Sequence, residues 1–120
     1  MKTIALVLTA IVAVEHLYIL WLEMFAWETR GPKVFKGSLK PELFKPTRTL
    51  AANQGLYNGF LAAGLIWSFL IPDENWAKNV ALFFLVCVAI AGLYGGATAS
   101  KRIIYVQALP AILAIAAWLL

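Results

Sequence analysis

The stretch Ile4–Trp27, IALVLTAIVAVEHLYILWLEMFAW, decides the fold. Apolar almost throughout, it is long enough at about 1.5 Å per residue to cross a hydrocarbon core of roughly 30 Å. Met1-Lys2-Thr3 in front of it gives the start of a secretory signal peptide. Glu15 and His16 interrupt that pattern, no small-x-small cleavage site closes it, and apolar residues continue to Trp27, so a retained helix is expected. Leu50–Ile71, Ala77–Ala99 and Ile103–Leu120 are apolar runs of comparable length. The expectation is an all-α chain, a four-helix transmembrane bundle forming one integral membrane domain over residues 1–120.

Composition agrees with that expectation. Of 120 residues, 62% are hydrophobic and 13% charged, and mean hydropathy is +0.81. Soluble domains run at roughly 45–50% apolar and roughly 25% charged, so a soluble globular chain is all but excluded. Lipid offers backbone groups no partners, and long apolar runs without alternation select helices over a barrel. Cys87 is the single cysteine, which excludes an intramolecular disulfide or a thiolate metal cluster. No repeat is visible and the two halves do not match, so an inverted-repeat transporter is not supported.

Between the first two apolar runs lies the one long polar segment, residues 28–49, with Gly31, Pro32, Gly37, Pro41 and Pro46. It reads as a loop or a surface-lying segment. Arg30, Lys33, Lys36, Lys40, Lys45 and Arg48 in this loop, with Lys101 and Arg102 between the last two runs, face only Lys2 and Lys78 on the opposite side. That bias places loops 28–49 and 100–102 in the cytoplasm and both termini outside, in the cell membrane. The net charge of +4 then needs no nucleic-acid partner. Cations interleaved with Val34, Phe35, Leu39, Leu43 and Phe44 suit anionic headgroups, at about 1 kcal/mol for each nearby cation. The alternative is a lid over a buried site, since loops longer than about 12–15 residues are often functional.

Ionisable groups within the bilayer are costly and turn toward an interior, a cavity or a partner. Glu15, His16 and Glu23 are the three to explain. At about 100° per residue His16, Glu23 and Trp27 fall on one stripe, with Glu15 about 100° aside. Asn53, Gln54, Tyr57 and Asn58 open the second helix as one broad polar face, at depths matching Glu23 and His16. Tyr94, Thr98, Tyr105 and Gln107 also fall in the cytoplasmic half. This asymmetry predicts a polar pocket open toward the cytosol or inner leaflet, and the structural alternative is helix-to-helix glue. Gly92 and Gly96 form a G-x-x-x-G pair for packing within the chain or for a homodimer face. Pro110 is expected to kink the last helix.

The chemistry such a pocket suits is proton transfer on a lipophilic or amphiphilic molecule. Glu23 or Glu15 acts as general acid or base with His16 as partner, and these three are the candidate catalytic residues. Trp27, Asn53, Gln54, Tyr57, Asn58, Tyr94 and Gln107 are the candidate binding residues, and Trp21, Phe60 and Trp67 extend the apolar wall. A proton-coupled transporter is the competing class, and a purely structural or partner-binding membrane subunit, using Gly92 and Gly96 and leaving no cavity at Glu23, is a further one. Four helices with a membrane-centred glutamate, Glu15, resemble the small multidrug resistance transporters, but His16, the long basic loop, the Asn53–Asn58 face and the topological bias depart from them. A metal, or haem on His16, is a weaker third reading, because Glu15 and His16 diverge on the helix and His16 to Glu23 spans about two turns. No particular cofactor is readable.

The stretches Glu15–Trp27 and Asn53–Gly64, with Ala91-Gly92-Leu93-Tyr94-Gly95 and Gln107-Ala108-Leu109-Pro110-Ala111, resemble a family of small bacterial and fungal integral membrane proteins. It is the domain-of-unknown-function family numbered thirteen-oh-four. The resemblance runs over nearly the whole chain and implies four transmembrane helices. It brings no activity, substrate or cofactor with it.

Overall fold

A computed structural model describes residues 1–120. The chain is all-α, without strands: α1 (Lys2–Phe25), α2 (Gly31–Val34), α3 (Arg48–Leu70), α4 (Glu74–Thr98) and α5 (Leu109–Leu119). A 3-10 turn at Pro41–Leu43 lies in the loop before α3, and a π-helical turn at Ile104–Ala108 runs directly into α5. Proline geometry and hydrogen-bond capping explain several boundaries. Pro32 and Pro41 stand at first-turn positions, where a missing N–H is harmless. Pro72 disfavours helical geometry at Ile71, and α3 stops at Leu70. Asp73 then caps α4 by accepting from the Trp76 N–H at 2.9 Å, so α4 begins at Glu74, earlier than the expected Ala77. The π turn precedes Pro110: the Leu109 N–H bonds to the Ile104 carbonyl, one residue further back than in an α-helix.

The faces of α1 are inverted relative to a soluble helix. Ile4, Val7, Ile11, Val14, Tyr18, Trp21 and Phe25 recur every three or four residues and are all exposed. The opposite stripe is buried and carries Thr9, His16 and Glu23 among Ala5, Val12 and Leu22. In α5 Ala111, Ala114 and Ala117 are buried, while Leu109, Ile112, Leu113 and Leu119 are exposed. Lys2–Phe25 and Glu74–Thr98 are long and apolar enough to cross a membrane by length and composition; Ile104–Leu119 is apolar but shorter.

The chain divides into two compact units. One comprises Met1–Val14 and Leu61–Leu120. Its core gathers Val12, Ala13, Leu65, Leu85, Val88, Ala89, Ala111 and Ala114, with Leu8, Leu61, Phe84, Ile115 and Trp118 packed around them. The Trp118 indole Nε1 donates to Thr9 Oγ1 at 2.9 Å, and the Thr9 hydroxyl donates to the Ala5 carbonyl at 2.7 Å. Lys2 pairs with Glu74 at the surface. Close approach in this unit occurs at Gly92 and Gly96. A Cβ on Gly92 would stand 2.6 Å from the Ala108 backbone N, and one on Gly96 would overlap the Ile104 side chain. The glycine pair therefore packs against its own π turn, and a homodimer face there would have to displace Ile104 and Ala108.

The other unit is Glu15–Phe60. Leu22, Ala26, Phe44 and Ala51 are buried in it together with His16 and Glu23. Its loop, read from sequence as a loop or surface-lying segment, is folded around Trp27. The Trp27 ring lies 4.9 Å from Phe44 and 5.4 Å from Phe35 between centroids. Its Nε1 donates to Thr47 Oγ1 at 3.0 Å, and the Thr47 hydroxyl donates to the Leu43 carbonyl at 2.6 Å. Buried Gly31 lies against the edge of Phe44, where a Cβ would come within 2.9 Å.

A candidate site around Glu23

Within the Glu15–Phe60 unit, Glu23 is only 3% exposed. Gln54 Nε2 donates to one carboxylate oxygen and Asn58 Nδ2 to the other, each at 2.7 Å. Four residues apart on α3, the two amides share a face. Their reach depends on Gly55, where a Cβ would lie 2.8 Å from Met24 Cγ, 3.0 Å from Glu23 Cβ and 3.2 Å from the Leu20 carbonyl. At Gly59 a Cβ would overlap Leu20. Gly55 and Gly59 are thus a second G-x-x-x-G pair, and they bring the α3 backbone against α1 beside the carboxylate. Sequence reading passed over this pair, although its spacing was visible, one glycine directly after each amide.

The other candidate residues are distributed as follows. His16 is wholly buried, on the same stripe of α1 as Glu23. Glu15 Oε1 is buried without a hydrogen-bond partner. Asn53 is exposed. Tyr57 is 64% exposed and packs on Phe60 at 5.9 Å between centroids. The broad polar face expected at the start of α3 therefore splits: Gln54 and Asn58 turn to the carboxylate, Asn53 and Tyr57 outward. Trp27 lies in the aromatic cluster of the loop. Tyr94, exposed, and Gln107, half-buried, belong to the other unit. Trp21, Phe60 and Trp67 are exposed apolar surface. No three His, Cys, Asp or Glu side chains are grouped as a shared metal ion would need.

One turn beyond Glu23 lies a small cleft of about 120 Å³ lined by Met24, Phe25, Trp27, Glu28, Thr29 and Arg48. Arg48 and Glu28 approach to 3.6 Å across it. Both are well exposed, so the pair contributes little to stability.

These features define a class: a small all-helical chain with apolar outward faces and a buried carboxylate held by two amides. The chain belongs to the family described as Protein of unknown function (DUF1304), which matches residues 10–119. It is similar to the "Uncharacterized protein YpaA" of Lactococcus lactis subsp. lactis (strain IL1403), at 33% identity over 116 residues and 96% of each chain. No solved structure matches it.

Proposed function

We propose that the chain is a multi-pass integral membrane protein, a four-helix transmembrane bundle with loops 28–49 and 100–102 in the cytoplasm and both termini outside. In this reading Glu23, Gln54 and Asn58 form an inner-leaflet polar site for a small lipophilic or amphiphilic molecule. Glu23 accepts and returns a proton there, with His16 and Glu15 as further ionisable groups on the same helix. The observation that carries the reading is the inversion of α1, whose exposed stripe is large and apolar while its buried stripe holds Thr9, His16 and Glu23. In water that arrangement wastes apolar burial, whereas in lipid the outward face is solvated and the polar groups are sheltered. A buried carboxylate is also more costly than leucine unless it has a task.

Native mass spectrometry of the protein in mild detergent tests this reading, comparing wild type with a Glu23→Gln, His16→Ala double variant. A small molecule retained by wild type alone supports the site and reports its chemical class. An empty wild type moves the polar cluster to the role of helix glue. One observation favours a second reading: Glu15 Oε1 is buried without a partner, as a carboxylate that alternately binds a proton and a cation in a proton-coupled transporter would be. Substrate uptake into proteoliposomes driven by a proton gradient and lost in Glu15→Gln would favour transport over one-sided binding.

A further inference from the structure

The net charge of the chain is concentrated in one folded segment. Residues 28–49 carry Arg30, Lys33, Lys36, Lys40, Lys45 and Arg48 against Glu28 and Glu42. Their net charge of +4 equals that of the whole chain, because the four cations and four acids outside the segment cancel. All six cations are exposed, and one of the two acids, Glu28, already lies 3.6 Å from Arg48. The cations are also held on a frame. The Lys33 and Val34 N–H groups bond to the Arg30 carbonyl and the Phe35 N–H to the Gly31 carbonyl, so the backbone is helical there. Gly31 and Phe35 turn to Phe44 and Trp27, while Arg30, Lys33 and Lys36, three residues apart, are all exposed. Gly37, at φ +86°, reverses the chain in the left-handed region that favours glycine, and Lys40 and Lys45 follow on the return. Like charges at helical spacing repel, and the Trp27–Phe35–Phe44 cluster holds them together.

We infer that the folded segment 28–49 is a docking surface for anionic phospholipid headgroups, which its cations select over zwitterionic ones. This rests on the proposal above that the chain spans a membrane, which sets the segment, at the joined ends of α1 and α3, against the headgroups. Anionic headgroups supply the counter-charge that two acids cannot. Apolar exposure favours lipid over other polyanions. Phe25 at the end of α1, Leu43 within the segment and Leu50 at the start of α3 are 72%, 40% and 70% exposed. A bilayer surface offers negative charge and hydrocarbon side by side, whereas a nucleic acid or an acidic protein in water leaves such residues wet. The sequence left open a lid over a buried site as the other use of this segment; the structure turns its aromatic residues inward and its cations outward, as a surface facing headgroups requires.

The test begins with an alkaline carbonate wash of membranes holding the full chain. Retention is expected, and release overturns the membrane-spanning reading and the docking surface with it. The chain in non-ionic detergent is then titrated with phosphatidylglycerol and phosphatidylcholine of identical acyl chains, with bound lipid read by native mass spectrometry. Phosphatidylglycerol is expected to bind more tightly by about tenfold or more, a preference that shrinks as salt rises. Combining Lys33→Gln, Lys36→Gln, Lys40→Gln and Lys45→Gln, all at exposed positions, should bring the two lipids level. Trp27→Ala keeps every cation but loosens the frame, and should weaken the preference as well. Equal binding of the two lipids by wild type overturns the surface while leaving the spanning reading intact, and it decides the matter even where a variant fails to fold. Equal binding accompanied by capture of heparin makes the occupant an acidic macromolecule and likewise overturns the lipid. A preference unchanged in the fourfold variant places anionic lipid elsewhere on the chain and overturns the assignment to this segment, and one unchanged in Trp27→Ala overturns the part given to the frame.

Discussion

The Gly92–Ala108 contact and the Glu23–Gln54 contact both join helices at glycines, but by different means. In the first, α4 and the π turn meet through Gly92 and Gly96, which lie against the Ala108 backbone and the Ile104 side chain. In the second, Gly55 and Gly59 bring α3 against α1, and the proximity is used to set two amides on a carboxylate. One is close packing alone, the means by which helices associate where lipid removes the hydrophobic drive. The other adds a buried carboxyl group that packing does not need. The difference separates a contact made by packing alone from one that also buries a hydrogen-bonded carboxyl group.

The largest expected effect lies in the packed region. Gly92→Val places a side chain against the Ala108 backbone, which cannot turn aside as a flexible side chain can. Overpacking of this kind should cost about 3 kcal/mol, read as a shift of the unfolding transition in mixed micelles. A loss well under 1 kcal/mol would show that α4 and the π turn are not held in tight contact.

Next comes Trp27→Ala, in the aromatic cluster of the other unit. Trp27 is half-buried, so the cost should fall near 2 kcal/mol, below that of emptying a fully enclosed aromatic site. Because Phe35, Phe44 and Thr47 all rest on its ring or its N–H, amide hydrogen exchange over residues 28–49 should accelerate more than elsewhere. Uniform acceleration along the chain would mean that the loop is not folded around this indole. Smaller again is Thr9→Val, which keeps the shape but removes the acceptor for the Trp118 N–H. About 1 kcal/mol is expected, and a double-mutant cycle with Trp118→Phe should recover most of it.

These contacts differ in how far they could be read from the sequence. The stripe of His16, Glu23 and Trp27 was legible because helical periodicity is local, and His16 and Glu23 on it are buried. Gly92 and Gly96 were legible as a close-approach pair, but not their partner, since nothing local indicates that Ile104 and Ala108 form a π turn that fits against them. The Asn53, Gln54, Tyr57 and Asn58 face spans too wide an arc for periodicity to choose its inner half. Gly55 and Gly59 supply that choice by marking where a neighbouring backbone must come close. Phe44 is buried beside Trp27 within a segment that reads as polar. Such a placement comes from contacts distant in sequence and leaves no periodic trace.

The smallest expected change in stability is the one that tests the comparison itself. Replacing Glu23, Gln54 and Asn58 together by leucine removes the charge and both donors at once, so no partner is left unpaired. Buried polar groups exchanged as a set for apolar ones of similar volume are often neutral, or more stable by about 1–4 kcal/mol. Gly55 and Gly59 stay in place in this triple variant, and the helix contact they make is unchanged. The variant should therefore unfold within about 1 kcal/mol of wild type, or later, while any Glu23-dependent ligand is lost. A destabilisation as large as that of Gly92→Val would make the carboxylate and its amides part of what holds the chain together. Stability retained with binding abolished is the outcome expected of a carboxylate kept for its chemistry, because close packing at Gly55 and Gly59 already suffices to join α1 and α3.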